Sequence, residues 1–264
     1  MASFSFEYLE IVEALLVGAA RIFAAFMVLP FMSNQALDNT VVRLGFAVAV
    51  SLPMLHSNHD ILINLQDMPT SATILYLAKE AIIGLFLGFL AAIPFWIFEG
   101  MGDLIDNQRG ASNADQMDAT LGSSASPTSI LLNKYFAALY FIMGGFLSFL
   151  LVVYKSYELW PIHHMLPELS VNTTLKVLLL LDHLMQWIIL FSAPLVMAMF
   201  FVEFGLALIN RFAQQLNVFV LAMPLKSIAG MFVLYLYLPI ITPYLLTEIN
   251  NQDFIFNKLQ VLLK

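Results

Sequence analysis

The chain has 264 residues, 61% of them apolar, and only 29 side chains (18 acidic, 11 basic) carry a formal charge, 11% of the total. A soluble domain has about 45–50% apolar residues with glycine counted and about 25% charged ones, so most of this surface is not built to meet water, and the class is a polytopic membrane protein. A net charge of −7 without a basic cluster excludes nucleic-acid binding, and the absence of cysteine excludes disulfides, thiol catalysis and cysteine-ligated metals.

The first twenty residues contain Glu7 and Glu10 but no Lys or Arg. They lack the positive region of a cleavable signal, so the first apolar segment is expected to be retained. About 20 apolar residues cross the hydrocarbon core as a helix. That ruler gives six candidate spans: 11–32, 41–55, 74–98, 135–154, 177–209 and 218–246. Arg21 interrupts the first. The second is short, and the third carries Lys79 and Glu80 early and Pro94 late. The fourth has no charge. Pro194 is expected to bend or break the fifth, and Pro224, Pro239 and Pro243 interrupt the sixth. Gly84 and Gly88, spaced as GxxxG, and the Gly144-Gly145 pair are read as sites of close helix packing.

Loop cations divide evenly. Arg43, Arg109, Lys134 and Arg211 fall on one side of the expected topology, and Lys155, Lys176, Lys258 and Lys264 on the other. Loop charge therefore sets no orientation, which suits a chain placed by its partners. Ionisable residues inside spans are costly unless they meet protein, water or an opposite charge. Arg21 and Lys79 can snorkel to an interface or be buried. Glu203 and Lys226 lie at similar distances from the centre of the polar turn 210–217. In an antiparallel hairpin their depths differ by only about 3 Å, so they are expected to pair or to face a common hydrated path.

The connection 99–134 is the most informative stretch. Between Asp106 and Ser126 its only large apolar side chains are Met117 and Leu121, and it contains no aromatic residue. Long loops of this kind are uncommon unless functional or disordered, and small polar residues suit a segment that lies in a narrow aqueous path and is readily displaced. Catalytic signals are weak. Ser123, Ser124 and Ser126 lack a nucleophile elbow. His56, His59, His163 and His164 lack a metal-binding frame, and His183 beside Asp182 reads as a helix end. No phosphate-binding glycine loop is present, so neither enzyme activity, metal nor cofactor is expected.

Pro94-Phe-Trp-Ile, Ile105-Asp-Asn-Gln-Arg-Gly-Ala111, Glu203-Phe-Gly-Leu, Arg211-Phe-Ala-Gln-Gln-Leu-Asn217-Val-Phe219 and Pro224-Leu-Lys226 together resemble the T subunit family of the type III secretion export apparatus, the SctT/SpaR/FliR family. The resemblance covers nearly the whole chain. One departure is Gln214, where the family commonly has proline. The resemblance implies an all-α, multi-pass protein of the bacterial inner membrane, a single export-gate domain over 1–264 with an R-subunit-like N-terminal part and an S-subunit-like C-terminal hairpin over 177–246. It implies partnership with the R and S subunits and the U subunit, and passage of unfolded effector, needle and translocator proteins.

A plug-like loop is implied at Arg109, Gly110, Ala111, Ser112, Met117, Leu121, Gly122 and Ser123. Glu203, Arg211, Asn217 and Lys226 are assigned to assembly or to the conduit lining. The competing class is a self-sufficient ion or small-molecule transporter, which also uses broken helices with charges at midplane depth. The absence of a visible inverted repeat and the length of the polar loop count against it.

Overall fold

Apolar runs that must satisfy every backbone polar group internally fold as helices, and every regular element among the described residues is helical. The computed structural model describes residues 16–32, 40–57, 70–110, 126–162, 171–212 and 217–250. Helix α1 is Leu16–Val28, followed by a 3₁₀ turn at Pro30–Met32. The others are α2, Thr40–Ser57; α3, Thr70–Arg109; α4, Pro127–Ile142; α5, Gly145–Leu159; α6, Val171–Phe212; and α7, Val218–Asn250. The described parts of the expected apolar segments are helical, the fourth being divided between α4 and α5. Among the described residues three stretches are long and apolar enough to cross a membrane alone: Ala72–Arg109, Leu178–Phe212 and Val220–Pro243. The pair α4 and α5 makes a fourth if taken as one broken span, whereas α1 and α2 are shorter.

Two boundaries depart from the sequence expectation. The connection expected to open at Glu99 is helical as far as Arg109 and helical again from Pro127. Gly110, at φ +82°, ends α3 in the left-handed conformation that closes helices, with its N–H bonded to the Asn107 carbonyl at 3.2 Å. Ser126 caps α4 and Pro127 takes its first position, where a missing N–H costs nothing. The segment 111–125, with Ala111, Ser112, Met117, Leu121, Gly122 and Ser123, lies outside the described residues, as do His59, His163 and His164. The expected fourth span is broken at Gly144, whose φ is +76° and beside which a side chain would meet nothing. Gly144 is thus a backbone break and not a packing site. In contrast, helical structure continues through Pro194 in α6.

The chain forms two compact units. The first contains α1, α2, α3 up to Ile93, and α5. Its core is built on α1, where Ile22, Ala25 and Phe26 are fully buried, as is Leu29 just after it. Phe26 stacks on Phe46 at 5.6 Å, and Phe149 lies 6.3 Å away. Here Gly84 and Gly88 of α3 meet the α1 backbone so closely that a Cβ would collide with the carbonyls of Arg21 and Ala25, which is the packing role the GxxxG spacing predicts.

The second unit contains α3 from Pro94, α4, most of α6 and α7. Phe95 and Phe98 on α3 pack on Phe136 of α4 at 4.7 and 4.8 Å. Gly100 faces Ile188 of α6, and Gly230 of α7 faces Met199.

Candidate functional site

The polar stretch that the sequence marks as a loop is, at both ends, a polar joint between α3 and α4 in the second unit. Asp106 is 1% exposed. Its Oδ2 accepts the Thr128 backbone N–H at 2.8 Å and its Oδ1 accepts the Thr128 hydroxyl at 2.6 Å. It thereby satisfies one of the free N–H groups that every helix start presents and places a carboxylate at the positive end of α4. Arg109 Nε lies 2.6 Å from Asp106 Oδ1, a contact of charges rather than an aligned hydrogen bond.

One turn earlier, Asp103 Oδ1 accepts the Ser126 hydroxyl at 2.7 Å. The Ser129 hydroxyl lies 2.5 Å from the same oxygen and 2.7 Å from the Glu99 carbonyl, so these two acceptors share its proton. Gly102 admits this closeness, because a Cβ there would overlap the Ser129 backbone. The residues that close the segment 111–125 are therefore fastened to each other whatever that segment does. Of the eight residues assigned to the plug, Arg109 and Gly110 are in this joint, and the other six lie outside the described residues.

Glu203 on α6 and Lys226 on α7 come together as the hairpin depth argument anticipates, with Nζ 3.0 Å from Oε2. The pair is lopsided: Lys226 is 12% exposed and Glu203 52%. Around it Phe200, Phe201, Phe204, Leu225 and Ile228 are all exposed, so the carboxylate stands in an apolar surface. Arg211 and Asn217 are exposed at the two sides of the α6–α7 turn and are not brought to the pair.

Arg21 and Lys79 do not snorkel. Both are buried in the first unit with Glu80, Arg21 Nε at 2.7 Å from Glu80 Oε2 and Lys79 Nζ at 2.8 Å from Oε1. Sequence reasoning missed this cluster, and it missed Asp103, Asp106 and Thr128 of the joint. The joint did leave a signal, since Ser126-Pro-Thr-Ser129 has the cap and first-position proline of a helix start. Among the described residues no three His, Asp or Glu side chains converge in a way that could hold a metal.

The model of bacterial export proteins, family 1, matches residues 12–252. The chain belongs to that family. Members similar to this one include the Yop proteins translocation protein T of Yersinia pestis, 38% identical over 227 residues and 82% of each chain. The secretion system apparatus protein SsaT of Salmonella typhimurium is 31% identical over 249 residues, covering 93% of this chain and 94% of its own. The flagellar biosynthetic protein FliR of Bacillus subtilis is 27% identical over 242 residues, covering 88% and 89%. Membership of this family, with several helices able to cross a bilayer, makes the chain a multi-pass protein of the bacterial inner membrane.

Proposed function

We infer that this export-family protein is a structural and gating subunit of a type III secretion export gate, forming part of the conduit for unfolded secreted proteins. The observation that carries the reading is the family match over 12–252, with translocation and secretion-apparatus relatives aligned along most of both chains. Its partners in this reading are the R and S subunits and the U subunit, with effector, needle and translocator proteins in transit. The transporter alternative gains nothing from these relatives.

In the gate, Arg109, Gly110, Ala111, Ser112, Met117, Leu121, Gly122 and Ser123 belong to the plug, and the α3–α4 joint, which includes Arg109 and Gly110, is the frame at its ends. A rigid frame with a polar, aromatic-free insert lets the insert be displaced without unpacking helices, since few apolar anchors must be broken. Glu203, Lys226, Arg211 and Asn217 are the assembly or conduit residues. A half-exposed carboxylate in an apolar surface is costly against lipid and favourable against water or a partner's cation. Native mass spectrometry of the tagged chain, gently extracted from its own membrane, tests the reading. One copy with several copies of two other small hydrophobic proteins is expected, and a partner-free monomer or homo-oligomer would overturn it.

A further inference from the structure

A helix that ends in a low-dielectric core leaves its last carbonyls without partners, and something must donate to them. Helix α5 ends at Leu159, and the chain continues through Trp160, Pro161 and Ile162, the last only 1% exposed. Trp160 N–H closes the last turn on the Ser156 carbonyl at 2.8 Å, and two cations from two other helices meet the carbonyls of the three residues that follow the helix. Arg21 Nη2 of α1 donates to the Trp160 carbonyl at 2.9 Å, and Arg21 Nη1 donates to the Ser156 hydroxyl at 2.9 Å. Lys79 Nζ of α3 donates to the Ile162 carbonyl at 2.8 Å and reaches the Pro161 carbonyl at 3.3 Å. The guanidinium also lies over the Tyr157 ring, 3.9 Å from its centroid, and the Tyr157 hydroxyl donates to the Gly18 carbonyl at 3.0 Å.

Glu80 lies between the two cations and pairs with both, which holds their remaining donors toward the carbonyls of residues 160–162. Carbonyls at the end of a helix carry partial negative charge, which favours cations there.

We propose that Arg21, Lys79 and Glu80 are positioning residues that cap the end of α5 in the buried core of the first unit and fix residues 156–162 against α1 and α3, Glu80 acting through Arg21 and Lys79. Arg21 carries the larger share, because its planar fork serves Glu80, Ser156 and Trp160 at once, which a lysine ammonium cannot do. The cap makes this part of the first unit a fixed element. For the export reading on which its functional meaning rests, it implies that gating motion does not pass through the end of α5.

The native chain has no cysteine, so a single I162C substitution reports on this site in the full chain in membranes. The Ile162 carbonyl, which Lys79 uses, is retained. Reaction with N-ethylmaleimide is expected to be slow in the otherwise native chain. It should rise at least about tenfold with R21A or E80Q, as water reaches the uncapped carbonyls, and by less with R21K. A single L132C in the second unit, at a side chain 0% exposed, serves as the reference and should stay protected in all of these variants.

The charge swap R21E/E80R separates a cap from a simple ion pair. It keeps two opposite charges but turns a carboxylate toward the Trp160 carbonyl, so labelling should stay high. Full protection in the swap, unchanged labelling in both R21A and E80Q, or a parallel rise at L132C would each overturn the proposal. The labelling is read without export or assembly, so a failure of the export-gate reading would leave this result standing.

Discussion

At the scale of single residues, two kinds of glycine are separated by what surrounds them. Gly84 and Gly88 sit where a Cβ would collide with backbone carbonyls, which cannot rotate away. Gly205 has open space around it and a helical backbone. Overpacking against fixed atoms costs about 1–3 kcal/mol, so G84A and G88A should each lower the thermal unfolding midpoint of the purified chain in detergent, whereas G205A should leave it near the native value. G144A tests a different cause, because the space there is empty but the positive φ is not. A left-handed backbone costs an alanine about 1–2 kcal/mol, giving a loss comparable with G84A with no steric contact to explain it. Asp106 belongs to the same scale. Removing its carboxylate in D106A leaves the buried Thr128 N–H without its acceptor, a loss of about 1–3 kcal/mol, while D106N keeps one acceptor oxygen and should fall between D106A and native in the same measurement.

At the scale of elements, apolar length located helical segments, because it reports directly on the solvent a segment meets, but it did not separate α4 from α5, which it read as one span. Polarity misplaced the ends of the central connection. Glu99, Asp103 and Asp106 read as loop residues, yet they are helical, since their acceptors are used by Ser126, Thr128 and Ser129 at the start of α4. The partners of Arg21 were illegible for a related reason, although its burial was one of the two outcomes the sequence left open. Its partners include the backbone carbonyl of Trp160, 139 positions away, and a carbonyl has no identity in a sequence. The pairing of Glu203 with Lys226 was legible because a short hairpin converts sequence distance into depth. The α3–α4 joint also predicts that frame and insert are separable. Replacing 111–122 by glycine and serine at the same length removes none of the joint's bonds, so the unfolding midpoint should change by no more than a surface substitution would, within about 0.5 kcal/mol in stability. Deleting 111–122 tests the insert itself: membranes containing assembled complexes should then leak ions or small solutes, and unchanged permeability would count against a plug.

At the scale of the whole molecule, the balance of charge and apolar surface suits a subunit more than a free-standing membrane protein. Loop cations give no preferred orientation, and α6 and α7 carry an ion pair among exposed apolar side chains. The pair gives the sharpest test of assembly. Lys226 is mostly covered by the chain, but half of Glu203 is left for whatever adjoins this surface. Reversing either charge alone places two like charges 3.0 Å apart at the native spacing, and each reversal should reduce the yield of assembled complex by at least about tenfold, equivalent to 1.4 kcal/mol. The double reversal E203K/K226E restores attraction within the hairpin but presents an ammonium outward in place of the carboxylate. If the pair acts only within the hairpin or beside water, the double variant should recover assembly close to native. If the exposed half of Glu203 meets a partner's cation, the double variant should fold, with its unfolding midpoint recovered, and still fail to assemble. Measuring midpoint and assembled yield on the same three variants therefore assigns Glu203 to the hairpin or to the interface, and a double variant defective in both would exclude direct pairing as its role.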